Sequence, residues 1–67
     1  MEITKEAVEQ YEAIRGMGPC NMLDIGCVQN VADELDFYDL ASLDRKEYVY
    51  ILSNYSELLD KFNILQK

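Results

Sequence analysis

Residues 43–65, with the sequence LDRKEYVYILSNYSELLDKFNIL, carry the pattern from which the fold class follows. Their apolar side chains recur three and four positions apart, which is typical of one face of an α-helix and not of a strand. The members of this apolar seam are Tyr48, Ile51, Leu52, Tyr55, Leu58, Leu59, Phe62 and Leu65. We expect one long helix from Arg45 to Leu65. The alternative is a break at Ser53–Asn54 or a new start at Ser56, since these side chains compete for backbone hydrogen bonds.

The same start signal occurs at every predicted helix, including the one that carries this seam. An apolar residue precedes a capping side chain, and a second apolar residue follows four positions after the cap, as in a hydrophobic staple. The four examples are Ile3–Thr4 with Val8, Leu23–Asp24 with Val28, Leu35–Asp36 with Leu40, and Leu43–Asp44 with Tyr48. They predict helices over residues 5–15, 25–35 and 37–42 before the long one. Gly16 and Gly18–Pro19 end the first helix. The predicted fold is all-α, a small single domain of three to four short helices with a longer C-terminal helix.

Length and composition limit what this domain does. The chain has 67 residues, a formal charge of −7, no histidine and 49% hydrophobic residues, so we expect one folded domain over residues 1–67. A domain this small has no room for a separate cofactor-binding unit, and we expect no cofactor. The negative charge opposes direct binding to nucleic acid or anionic lipid. No apolar run is long enough to span a membrane, and the N-terminus does not resemble a secretion signal, so we expect a cytoplasmic location.

Cys20 and Cys27 are the only cysteines. With no histidine in the chain, a zinc site would need carboxylate ligands or a second chain, so we expect no metal site. The favoured interpretation is two reduced thiols that pack as small hydrophobic groups. A disulfide between them is geometrically conceivable but would be unusual in a cytoplasmic protein.

Several short motifs through residues 14–40 keep an unbroken spacing. They are Ile14-Arg15-Gly16, Asn21-Met22-Leu23-Asp24, Val28-Gln29, Ala32, Glu34-Leu35 and Phe37-Tyr38-Asp39-Leu40. This arrangement resembles a family of small phage and prophage proteins that has no assigned chemistry. The domain then divides into a family-like region, residues 2–53, and a C-terminal helical extension, residues 54–67. The resemblance implies a phage gene product that acts in a bacterial host cell, and by analogy one that occupies a host macromolecule.

Acidic residues are concentrated around the predicted end of the second helix, at Asp33, Glu34, Asp36 and Asp39. Acid–base catalysis by such carboxylates needs a cleft that a domain of this size does not offer, so we expect no enzyme and no catalytic residue. One interpretation is helix capping and a solvated face. The other is a partner-binding surface, to which we add the off-seam tyrosines Tyr38 and Tyr50 because tyrosine is a favoured interface anchor.

The binding interpretation has a specific form. Carboxylates at Glu2, Glu6 and Glu9 lie about one helical turn apart, roughly 5–6 Å, which is close to the spacing of phosphates along a nucleic-acid strand. Such a surface can imitate nucleic acid and dock on a host protein with a basic or nucleic-acid-binding surface. We therefore expect an inhibitor of a bacterial defence or nucleic-acid-handling complex, similar in manner to an anti-CRISPR protein.

A second expectation is self-association or a role as a transcription cofactor. A continuous helix over residues 45–65 would be about 31 Å long, more than the rest of so small a domain covers. Its C-terminal half would then pack on the first helix or on a second copy of the chain. The residues that would form a homodimer interface are Tyr55, Leu58, Leu59, Phe62 and Leu65.

Overall fold

Five short helices make up the regular structure of the computed structural model, which describes residues 3–64. They are α1 (Lys5–Met17), α2 (Ile25–Glu34), α3 (Tyr38–Ala41), α4 (Arg45–Ser53) and α5 (Tyr55–Lys61). No strand occurs in the described part of the chain, so the all-α prediction is confirmed. The first three helices lie within two residues of their predicted bounds.

Three of the four predicted helix caps are present. The Thr4 side chain accepts a hydrogen bond from the Ala7 N–H at 3.1 Å, and Asp24 accepts one from Cys27 at 3.2 Å. At α4, Asp44 and Glu47 form a complete capping box, each side chain accepting from the other residue's backbone N–H, at 2.8 and 3.0 Å. These contacts satisfy N–H groups that the first turn of a helix leaves without partners.

The predicted cap at Asp36 is wrong. Asp36 lies two residues before α3 with a left-handed φ of 60°, and Phe37 takes the cap position without a side-chain hydrogen bond. Gln10 of α1 supplies the missing acceptor, because its Oε1 accepts the Leu40 N–H at 2.9 Å. A side chain distant in sequence therefore caps α3.

The long C-terminal helix is also a wrong prediction, and the alternative break at Ser53–Asn54 is correct. Asn54 departs from helical geometry, with φ −121° and ψ 23°. Its side-chain Nδ2 and its backbone N–H both donate to the Tyr50 carbonyl, each at 3.0 Å. The asparagine side chain thus competes for an acceptor of the helix, as expected for this residue type. α5 starts at the next residue, Tyr55, and packs within the chain.

The core is formed by one face from each helix. Tyr11 of α1 contacts Tyr48 of α4 and Tyr55 of α5, with ring centroids 5.7 and 5.1 Å apart. The buried hydrophobic residues are Ile3, Ala7, Val8, Tyr11, Ile14, Val28, Ala32, Leu40, Tyr48, Ile51, Leu58 and Leu59. Tyr55 of α5 therefore packs on α1 of the same chain, and Leu58 and Leu59 lie in the same core.

The expectation of two reduced thiols is contradicted by a disulfide bond between Cys20 and Cys27. The loop after α1 explains their approach. Gly18 ends α1 with a left-handed φ of 76°, and the Asn21 side chain accepts the Leu23 N–H at 2.9 Å in an Asx turn. The chain reverses, and the Cα atom of Cys20 lies 6.0 Å from that of Cys27 in the first turn of α2.

Candidate functional site

The predicted acidic residues come together where α2 turns into α3. Asp33 and Glu34 end α2, Asp36 lies in the turn, and Tyr38 and Asp39 begin α3. All five are exposed, and Tyr38 is 64% exposed although it is a large aromatic residue. We call these five residues the acidic corner.

The backbone of the acidic corner is held by a Schellman motif. The Phe37 N–H donates to the Ala32 carbonyl at 2.7 Å, and the Asp36 N–H donates to the Asp33 carbonyl at 3.2 Å. This motif places one residue in the left-handed region, where glycine is usual and aspartate is tolerated. The turn is therefore well defined, and a charged residue occupies a position at which glycine would be less strained.

The acidic corner is electrostatically unfavourable for the helix that carries it. The C-terminal end of a helix bears partial negative charge and favours cations. The last turn of α2 contains no basic residue, whereas Asp33 and Glu34 both lie there. No lysine or arginine occurs in the sequence between Arg15 and Arg45. Helix stability thus gives no reason for Asp33 and Glu34, whereas Asp39 lies in the first turn of α3, where a negative charge is favourable.

Tyr38 is directed into the acidic corner by a hydrogen bond. Its hydroxyl donates to Asp36 Oδ1 at 2.9 Å. This hydrogen bond, together with slight desolvation and the nearby Asp33 charge, raises the pKa of Tyr38 above its usual value. The hydroxyl remains protonated and holds the ring beside the carboxylates. Tyr50, the other predicted partner-binding tyrosine, is exposed on α4 and is not part of this turn.

An apolar groove runs beside the acidic corner along α1. Its volume is about 740 Å³. The apolar floor is built from Ala13, Met17, Leu35, Phe37 and Ile64. Glu9, Glu12 and Arg15 form its charged edge, with Arg15 Nη1 3.8 Å from Glu12 Oε2. A smaller depression of about 280 Å³ shares Glu9, Ala13 and Phe37 with it and continues the groove to Glu6.

Sequence reasoning missed this groove because it took Leu35 for the apolar residue before a cap at Asp36, which predicts contact with Leu40 and not exposure. Leu35 is 41% exposed, and Phe37 is only partly buried. The reason is the Schellman turn, which carries the chain off the apolar stripe of α2 just as that helix ends. Met17, which is 56% exposed at the end of α1, completes the floor. The visible sequence signal was a pair of large apolar residues, Leu35 and Phe37, on either side of an aspartate, a residue type that tolerates the left-handed conformation.

Four of the five predicted self-association residues lie in the described part of the chain. Leu58 and Leu59 are 4% and 3% exposed, because they pack in the core of their own chain. Tyr55 contacts Tyr11, and the Arg15 guanidinium lies over its ring at 5.5 Å from the centroid. Phe62 is partly buried against the core. Leu65, like Glu2 of the predicted carboxylate row, lies outside the described residues.

Comparison with known families gives a match over most of the chain. Residues 3–54 match the family described as a domain of unknown function, DUF5049. The chain belongs to the DUF5049 family. No curated protein and no solved structure matches it.

The DUF5049 match ends at Asn54, the residue that separates α4 from α5. The acidic corner and most of the apolar groove therefore lie inside the matched region. α5 lies beyond it, although Leu58 and Leu59 belong to the core.

Within residues 3–64, no three histidine, cysteine or acidic side chains are grouped as metal ligands would be. None of the described helices has the length and apolar character needed to cross a bilayer.

Proposed function

We propose that this DUF5049 protein is a non-enzymatic accessory protein that binds a host macromolecule through the acidic corner. The observation that supports this is the concentration of Asp33, Glu34, Asp36 and Asp39 around an exposed tyrosine, with Asp33 and Glu34 at a helix end that disfavours negative charge. Residues that oppose local stability and remain exposed are better explained by binding than by folding. Tyr38 adds a large contact area with few rotamers to immobilise.

The partner we propose is a host protein with a basic, nucleic-acid-binding surface. Long-range attraction between the acidic corner and such a surface accelerates encounter, and added salt screens it. The carboxylates then occupy sites that would otherwise hold phosphates. The protein thereby inhibits a bacterial defence or nucleic-acid-handling complex in the manner of an anti-CRISPR protein, as a nucleic-acid mimic of phage origin.

This action takes place in the bacterial cytoplasm, where thiols are kept reduced. Neither Cys20 nor Cys27 belongs to the acidic corner, so binding does not require the disulfide bond. A reduced sample and an oxidised sample should capture the same partner.

The test compares two charge reversals of equal size. Tagged protein carrying Asp33→Lys and Asp39→Lys is used to capture partners from a bacterial lysate at low and high salt. The matched control carries Glu57→Lys and Asp60→Lys on α5, which change the net charge equally at exposed positions outside the corner. We expect one stoichiometric, salt-sensitive partner with the wild type and with the control, and at least a tenfold loss with the corner variant.

The identity of the partner completes the test. A basic nucleic-acid-binding protein that is displaced by added nucleic acid supports mimicry. Equal capture by both variants, or a partner whose binding is insensitive to salt, contradicts the proposal.

A further inference from the structure

We propose that the apolar groove binds the apolar face of a basic amphipathic helix. This inference rests on the proposed function and specifies how the basic partner is held. The floor exposes Met17 and Leu35, which are 56% and 41% exposed, next to Phe37. Burial of such side chains against apolar side chains of a partner is favourable, and methionine adapts readily to irregular surfaces.

The dimensions of the groove fit a helix. Its lining residues run along α1 from Glu6 to Met17, a distance of about 16 Å at 1.5 Å per residue. Three helical turns have this length, so apolar side chains at positions i, i+3 or i+4, and i+7 of a partner would all lie over the floor. The volume of about 740 Å³ is ample for several such side chains.

The charges around the groove require a basic partner. Glu6, Glu9 and Glu12 are among the lining residues, and Asp36 lies between Leu35 and Phe37 of the floor in the sequence. Among the lining residues that the structure describes, Arg15 is the one cation, and it is next to Glu12 and over the Tyr55 ring. Lysine or arginine residues beside the apolar anchors of a partner helix would meet these carboxylates.

The same charges argue against other occupants. Nucleic acid would bring phosphates to carboxylates and would leave the apolar floor uncovered. A second copy of the chain also carries a charge of −7, so the two grooves would repel each other. A partner helix with an apolar face and flanking cations matches both the apolar floor and the carboxylates of the groove.

The test uses three fluorescein-labelled model peptides of about 18 residues, five helical turns each. One is an amphipathic leucine–lysine peptide, the second replaces its leucines by glutamine, and the third replaces its lysines by glutamate. Fluorescence anisotropy measures the binding of each peptide to the full chain. We expect the leucine–lysine peptide to bind at least tenfold more tightly than either of the other two.

Two matched pairs of variants locate the binding. Leu35→Ser lies in the floor, whereas Leu23→Ser removes an equally large side chain that is 74% exposed and outside the groove. Glu9→Lys lies at the edge, whereas Glu57→Lys makes the same charge change on α5. Each groove variant should weaken binding of the leucine–lysine peptide about tenfold, each control less than twofold, and circular dichroism should show all four folded.

The outcomes separate this inference from the proposed function. Equal binding of the glutamine–lysine peptide would overturn the groove inference and leave the acidic corner as the binding surface. Equal effects of each groove variant and its control would place the peptide elsewhere and also overturn it. Binding of none of the peptides overturns the groove inference alone, since the lysate experiment tests the acidic corner independently. Self-association that Leu35→Ser abolishes would show a second copy as the occupant and would overturn it too.

Discussion

Gln10 caps a helix that begins almost thirty residues later in the chain. Its Oε1 atom accepts a hydrogen bond from the Leu40 N–H at 2.9 Å, and the contact is partly buried. α3 is only four residues long and has no capping side chain of its own. An isolated helix of this length is unstable in water, so α3 depends on α1 for both packing and hydrogen bonding. The acidic corner, which includes the first turn of α3, is therefore positioned by α1.

Replacing Gln10 by alanine should destabilise the protein by about 1 kcal/mol, the typical effect of losing a helix cap. Urea denaturation followed by circular dichroism measures this change. Gln10→Glu is the control, since its carboxylate can still accept the Leu40 N–H and should retain most of the stability. Equal losses in both variants would show that the cap contributes little.

Replacing Asp36 by glycine should stabilise the fold by about 0.5–1 kcal/mol, since glycine adopts the left-handed conformation without the steric cost of a Cβ atom. The observed φ of Asp36 is 60°. Asp36→Ala removes the same charge but keeps the Cβ atom, so it should not give this gain. Thermal or urea unfolding of the three proteins measures the difference. We also expect Asp36→Gly to weaken partner capture, which would separate binding from stability at a single position.

Reduction of the Cys20–Cys27 bond should lower the free energy of unfolding by about 2.5 kcal/mol, the loop-entropy value for a loop of this size. The two residues are seven positions apart in sequence. Unfolding midpoints with and without a reductant measure the effect. A double Cys20→Ser, Cys27→Ser variant should already have the lower stability and should not respond to the reductant. A wild type that does not respond would contradict the prediction.

Tyr48 should make the fold sensitive to alkaline pH. Its hydroxyl donates to the Met22 carbonyl at 2.7 Å, and burial is the main cause that raises its pKa above the usual value of 10.0. Because the pKa of Tyr48 is higher in the folded chain than in the unfolded chain, its protonated hydroxyl stabilises the fold at pH values below the unfolded pKa. This stabilisation is lost as the pH rises above about 10. Tyr48→Phe should cost about 1 kcal/mol at neutral pH and should flatten the loss of stability above pH 10. Urea unfolding of the wild type and of Tyr48→Phe between pH 7 and 11 tests both effects. If the free energy of unfolding falls equally in the two proteins above pH 10, Tyr48 is not the source of the alkaline sensitivity.

Leu58→Asp should unfold the chain and not merely dissociate an oligomer. Leu58 is buried in the core of its own chain, and an unpaired buried carboxylate costs several kcal/mol. Light scattering and circular dichroism at several protein concentrations distinguish the two outcomes. Asp60→Asn on the exposed side of α5 is the control and should remain folded. A folded monomeric Leu58→Asp protein derived from a dimeric wild type would restore the self-association hypothesis.

Local signals in the sequence predicted most of the helix boundaries. Thr4, Asp24 and Asp44 act as caps because each hydrogen-bonds to a backbone group only three residues away. The prediction failed at Asp36, where a similar apolar–aspartate pattern forms the end of α2 instead of the start of α3. Which of these two roles an aspartate takes depends on whether the preceding helix extends as far as that aspartate. The end of the preceding helix cannot be predicted from the four residues around the aspartate.

The break at Asn54 had a signal in the sequence, but the packing of α5 that follows the break had none. A competing asparagine side chain is a local property, whereas the contact of Tyr55 of α5 with Tyr11 of α1 joins residues that are distant in sequence. The predicted interface leucines were correctly identified as apolar and periodic. Their burial within the chain follows from the packing of α5 in one core with α1.

The amino-acid sequence alone thus determined the all-α class, the start of most helices and the charge of the acidic corner, because helix periodicity, capping and charge are properties of residues within a few positions of one another. The packing of distant elements decided the cap from Gln10 to Leu40, the approach of Cys20 to Cys27 and the burial of Leu58. The packing of distant elements also forms the apolar groove, whose floor combines residues from the end of α1, the α2–α3 turn and Ile64. These features arise between segments that are separated in sequence, and only the folded chain brings them into contact.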